Sequence, residues 1–323
     1  MIEPFSPGWL RCGHLQTLVG IIARPQPHPT FRRERWETPD DKLDFVYMDF
    51  IDGPPGTPWV HLFHGLEGSS DAPYSRRLMQ LVKERGWRGS VLNFRSCGYA
   101  KDEAPNTRPR AYHAGDWPEA EWVLARVKAL AGEAPVYAAG VSLGASVLLD
   151  WLGERGTQAG ATVARAASVS APVDLVALGT ALDKGLATLY GRVFLGTLRP
   201  KALAKLAAKP DLFDEKRFAE VRTLKGFDDV VTGPIHGFAD GHDYYTKASA
   251  KPRLRDIRVP TLLLNARDDP FHPATSLPAP NEVSSFVTLE FPDHGGHVGF
   301  VSGITGHAGW MPHRLIHFFE QGE

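Results

Sequence analysis

The chain has 323 residues, 43% hydrophobic and 23% charged, which is ordinary for a globular protein and long enough for one large α/β domain or two smaller ones. A formal net charge of −1 gives no electrostatic reason to expect nucleic acid or strong attraction to an anionic membrane. Cys12 and Cys97 cannot build a disulfide framework and suit a reducing compartment, and no run nears the roughly 18 apolar residues of a membrane span.

In chain order, residues 1–40 are rich in Pro, Arg and aromatics and read as an arm packed on a later core. Within them Leu15–Ala23 is apolar but broken by Gln16, Thr17 and Gly20, so it is not a signal peptide and a cytoplasmic protein is expected. Leu43–Phe50 is strand-like, with Phe45, Tyr47 and Asp49 on one face, and Gly53-Pro54-Pro55-Gly56 is a turn. Trp59–Phe63 is a continuous apolar run, as in a strand buried on both faces of a parallel sheet, and ends in His64-Gly65-Leu66-Glu67-Gly68. Tyr74–Arg85 has helical spacing, and Ser90–Phe94 is another buried strand leading into an irregular stretch, Arg95–Arg110. Asp116–Ala131 reads as an amphipathic helix with Asp116 as its cap.

Val163–Val169, Thr261–Leu264 and Phe286–Phe291 are further strands, and Trp310–Phe319 is a closing helix. This alternation predicts one α/β domain over 1–323, a mostly parallel central sheet with helices on both faces. From Val173 to Lys251 the pattern is helical without a convincing strand. Its place after the first half of the sheet has the shape of a helical cap over an active site; the plainer reading is an excursion that only covers apolar surface.

Between these halves lies Pro135–Trp151. A short apolar strand ends in Gly140-Val141-Ser142-Leu143-Gly144, and a helical run follows at once. A G-x-S-x-G there is a nucleophile elbow, with serine in a strained turn and glycines that let strand and helix pass closely. Composition alone would supply roughly 0.15 copies of the motif, so its context must carry the reading.

Serine needs a base to take its proton and a third group to orient that base. The order Ser, acid, His, each after its own strand, is present. The acid comes from Asp268-Asp269-Pro270-Phe271, where Asp269 is preferred because such loops carry the acid just before a pair whose apolar member packs under the turn. Asp268 would then be a turn residue. The base comes from His294-Gly295-Gly296-His297, where His297 is preferred because the two glycines would let its imidazole approach the serine. His307, His313 and His317 read as surface or core residues. The N–H groups of Leu143 and Leu66 are the candidate oxyanion donors.

No dinucleotide or nucleotide loop is present, and His61 and His64 would point to opposite faces of a strand, so neither cofactor nor metal is expected. Lys201, Lys205 and Lys209 recur at i+4 steps; such a stripe could touch a lipid surface in passing, though a solvated face is the commoner reading.

Several segments together resemble the YheT-like branch of α/β hydrolases. They are Leu15-Gln16-Thr17, His64–Ser70, Asn93-Phe94-Arg95 with Cys97-Gly98, Tyr112–Gly115, Gly226–Asp229, Gly237-Phe238, Asp243–Tyr245, Asn265–Phe271 and His294–Phe300. The resemblance implies a serine hydrolase of carboxylic esters, with Ser142, Asp269 and His297 as its triad and some relatives acting on acyl lipids. Ser96 departs from the family pattern, which commonly has glycine after the arginine. An amidase or peptidase would use the same triad, and a non-catalytic binding module would be expected to have lost part of it.

Overall fold

The central strands are buried along most or all of their length. The computed structural model describes residues 3–22, 29–41, 43–99, 106–302 and 309–322. Its strands are β1 (Arg32–Glu37), β2 (Phe45–Ile51), β3 (Trp59–Phe63), β4 (Arg88–Asn93), β5 (Val136–Val141), β6 (Arg165–Val169), β7 (Thr261–Leu264) and β8 (Val287–Glu290). They form one sheet in the order β1-β2-β4-β3-β5-β6-β7-β8. The pairs β1–β2 and β2–β4 are antiparallel; every other pair is parallel. All five residues of β3 are buried, as a strand covered on both faces requires.

The helices are α1 (Gly13–Ile22), α2 (Pro73–Glu84), α3 (Trp117–Ala131), α4 (Leu143–Arg155), α5 (Leu175–Leu182), α6 (Ala187–Ala208), α7 (Glu215–Glu220), α8 (Leu224–Phe227), α9 (Gly233–His236), α10 (Gly241–Ala248) and α11 (Trp310–Gln321). One face of the sheet is covered by α3 and α4, through Val123, Val127, Leu148 and Trp151. The other is covered by α2 and α11, through Leu78, Val82, Leu315 and Phe319. Helices α5–α10 all lie between β6 and β7 and have an apolar cluster of their own, with Leu195, Phe213, Phe227 and Val231 at its centre.

One element goes beyond the sequence reading and two expectations, the Asp116 cap and the solvated lysine stripe, are corrected. The arm contains a strand: β1 pairs with β2 from Arg32↔Phe50 to Glu37↔Phe45. Its sequence, RRERWE, hides this because only Trp36 is buried. The arginines instead lie over rings of β2, Arg35 at 4.0 Å from the Phe45 centroid. Asp116 sits at the start of α3 but makes no capping bond with its side chain, which accepts from Arg110 at 2.5 Å. The lysine stripe does not face solvent. Lys205 is buried, its Nζ donating to the carbonyls of Arg108 and Arg110 at 2.6 and 3.0 Å, and burial lowers its pKa to about 8. Lys201 pairs with Glu67 at 2.7 Å, leaving Lys209 as the exposed member.

Candidate active site

Ser142 closes β5 with φ 53° and ψ −122°, a conformation that L residues rarely adopt. Its N–H donates to Val169 O at 2.8 Å, and its carbonyl accepts from Ala145 and Ser146 as α4 begins. The glycines around it are there for space. A Cβ on Gly140 would lie 2.6 Å from Ala145 Cα, and one on Gly144 would lie 2.5 Å from Phe63 O. The tight turn between strand and helix leaves Oγ within hydrogen-bond reach of His297.

His297 Nε2 lies 2.9 Å from Ser142 Oγ, and its Nδ1 lies 2.8 Å from Asp269 Oδ2. The other oxygen of Asp269 accepts the Phe271 N–H at 2.8 Å. Burial alone would raise the Asp269 pKa, but His297 and His272 outweigh it, and the carboxyl is held below its usual range. An ionised Asp269 can only accept, so Nδ1 of His297 carries the hydrogen and Nε2 accepts from the serine hydroxyl. Asp268 makes a separate contact, to His294 Nδ1 at 3.2 Å, and also accepts the Gly296 N–H at 2.8 Å. Of the two aspartates and two histidines in question, the structure joins Asp269 and His297 to Ser142. On α11, His313 is exposed and His317 half-buried; His307 lies outside the described residues.

The loop carrying His297 is contorted: Gly295, Gly296, Val298 and Phe300 all have φ between 39° and 148°. What holds it comes from the far end of the chain. Thr17 Oγ1 accepts the His297 N–H at 2.8 Å, and Gln16 accepts the Val301 N–H at 2.7 Å while donating to the Val301 carbonyl at 3.0 Å. Sequence reasoning assigned no role to these two residues; the only signal was their place in the family resemblance. Phe271 also differs from expectation. It does not pack under its turn but stacks on the His297 ring, with centroids 4.1 Å apart.

The loop after β3 comes close to the serine, and a Cβ on Gly65 would sit 3.0 Å from Ser142 Cβ. The neighbouring N–H groups are occupied. Gly65 N donates to Tyr74 Oη at 2.9 Å, Glu67 N to Tyr112 Oη at 2.7 Å, and Gly68 N to Gly65 O at 2.9 Å. The N–H groups of Leu66 and Leu143 have no acceptor among the described residues, and both residues line a cavity with Ser142. His64 is locked neutral, with Nδ1 donating to Gly65 O at 2.7 Å and Nε2 accepting from Phe94 N at 3.1 Å; burial lowers its pKa to about 4.

Ser142 stands between two cavities. One, of about 130 Å³, is lined by Leu66, Leu143, Leu178, Phe227 and Val231; the other, of about 240 Å³, by Ile21, Tyr190, Val193, His297 and Val298. Leu66, Phe194 and Phe271 border both. Among the described residues, one group could bring metal-ligating atoms together: Asp269, His272 and His297, within 4.8 Å of one another. Two of these three are already spent on the hydrogen-bonded line to Ser142.

The family model for the alpha/beta hydrolase fold matches residues 58–304. Over 95% of this chain and 90% of its partner, the sequence is 37% identical to YheT of Escherichia coli (strain K12), provisionally named an esterase. The chain belongs to the α/β hydrolases, in their YheT-like branch. It is also 30% identical to Phospholipase ABHD3 of Homo sapiens, over 92% of this chain and 73% of that one. Among solved structures, Pyrococcus furiosus esterase Pf2001 shares the fold at a TM-score of 0.57 and 14% identity, covering 99% of this chain and 97% of that one. No helix among the described residues of this YheT-like chain is long and apolar enough to cross a membrane.

Proposed function

We propose that this YheT-like hydrolase cleaves carboxylic esters through an acyl-enzyme formed on Ser142. The observation that carries the reading is the unbroken line of hydrogen bonds from Ser142 Oγ through His297 to Asp269, at 2.9 and 2.8 Å. Relatives named esterase and phospholipase support the ester class. In this reading His297 takes the serine proton as Oγ attacks the acyl carbon, and the Leu66 and Leu143 N–H groups receive the developing oxyanion. His297 then protonates the departing alcohol, and water activated by the same imidazole releases the acid.

These roles sort the two cavities. The alcohol must leave on the side of His297, which lines the larger cavity and not the smaller, while of the oxyanion donors Leu143 lines only the smaller cavity and Leu66 borders both. The acyl chain therefore enters the smaller, apolar cavity, under helices α5–α10, which act as a cap over the site.

Ser142→Ala is expected to lower turnover of p-nitrophenyl butyrate by on the order of 10⁶, and to abolish fluorophosphonate labelling. Activity within tenfold of wild type would remove the assignment. Matched ester and amide substrates test the alternative that the triad serves an amidase.

A further inference from the structure

Helix α1 is amphipathic the wrong way round. Its buried residues are Gly13, Gln16, Thr17 and Gly20, the small and polar ones that grip the His297 loop. Its large apolar residues, Leu15, Leu18, Ile21 and Ile22, are exposed. Of thirteen large apolar side chains left exposed among the described residues, these four and Leu189 and Val193 of α6 make six. The two helices are neighbours: His14 stacks on Tyr190, with ring planes 2° apart and a 3.2 Å hydrogen bond between them.

The exposed residues are not scattered. Ile21 is 60% exposed and Val193 69% exposed, yet both line the larger cavity, whose inner end is Ser142 and His297. The apolar patch thus reaches, through Ile21 and Val193, the rim of the opening by which a substrate would reach the nucleophile, and its other members extend outward from it along α1 and α6. Single exposed apolar residues need no explanation, but a patch around a cavity mouth marks a binding surface.

Charge narrows the partner. Neither α1 nor α6 contains an acidic residue, in a chain whose net charge is −1. Arg11, just before α1, and Arg192, beside Val193, are exposed, and Arg77 lines the cavity with its guanidinium donating to Gly20 O at 3.4 Å. An apolar rim set among cations fits a surface that is apolar within and anionic at its face.

We propose that α1 and the first turns of α6 form a docking face for an anionic lipid–water interface, seating the cavity mouth on the surface that supplies the ester. This rests on the ester-hydrolase reading and adds to it where the substrate comes from. The face is distinct from the lysine stripe of α6, two of whose members are turned inward.

The test is sedimentation with vesicles of phosphatidylcholine containing about 30 mol % phosphatidylglycerol, using the full chain and the triple variant Leu15→Asp/Leu18→Asp/Ile22→Asp. None of these three residues lines either cavity. The variant is expected to lose at least about tenfold in vesicle binding while hydrolysing dissolved p-nitrophenyl butyrate within about twofold of wild type. Arg192→Glu is expected to weaken binding to the same vesicles, and Ser142→Ala to bind as wild type does. A wild-type chain that hydrolyses the dissolved ester but does not sediment overturns the docking face alone. So does a dimer that the triple variant dissociates, which would make the patch an interface between copies. Binding without hydrolysis of any ester overturns the hydrolase reading instead.

Discussion

Ser142 and His297, the proposed nucleophile and base, are held in different ways. Ser142 follows β5, a strand with parallel partners on both sides, and its turn is enforced by glycines within two residues of it. His297 follows β8, a four-residue edge strand paired only with β7, and its loop is fixed by a hydrogen bond to Thr17, 280 residues away in sequence. Steric exclusion against β3 and the start of α4 sets one; close contact with a remote helix, through hydrogen bonds to Gln16 and Thr17 and backbone approach at Gly296, sets the other. A turn wedged between central elements of the sheet withstands fluctuation, whereas a loop that depends on a helix from the far end of the chain loses its geometry once that helix moves.

That contrast can be broken from either side. The largest effect is expected from Gly144→Ala, whose Cβ would meet the Phe63 carbonyl at 2.5 Å; unfolding in urea should show a loss of about 4 kcal/mol, or no folded protein. Next comes pH. With His64 depressed to about 4 in the fold, against about 6.5 when unfolded, the unfolded chain binds the extra proton between those values. The stabilisation from neutral His64 is therefore complete above about pH 6.5 and is lost towards pH 4, on the order of 3 kcal/mol, measured as urea midpoints across that range. Asp228, raised by burial to about 6, acts in the opposite direction, so Asp228→Asn should steepen the acid loss.

On the other side, Thr17→Val keeps the shape but leaves the His297 N–H without an acceptor. It should lower kcat by about tenfold or more, leave KM nearly unchanged, and be rescued by Thr17→Ser. Unaltered kcat would mean that the remote grip is merely structural. The smallest expected effect is at Ser96, which has φ 65°, in the left-handed region that favours glycine. Ser96→Gly should raise stability by up to about 1 kcal/mol, seen as a small rise in Tm.

What was legible in the sequence follows the same division. The elbow, the order of the three loops and most strands are local patterns, because apolar runs and glycine turns act over a few residues. Asp269 could be preferred over Asp268 only by analogy, since adjacent residues share composition and differ in direction. The β1 strand stayed hidden because an edge strand needs little apolar burial and its charges find partners across the sheet. Gln16 and Thr17 looked like interruptions in an apolar patch because their partners lie nearly three hundred positions on. Lys205 looked solvent-facing because spacing reports a helix face but not what lies against it.

The placement of β8 at the sheet's edge has a consequence for how activity fails on heating. An edge strand of four residues opens at lower free energy than the central β3–β5 pair. Amide hydrogens of β8 and the segment after it should exchange with solvent before those of β5, and loss of turnover should precede loss of the folded sheet. Heated gently, this chain would become an intact sheet with an orphaned serine, and cooling should restore its turnover as long as the sheet itself has not opened.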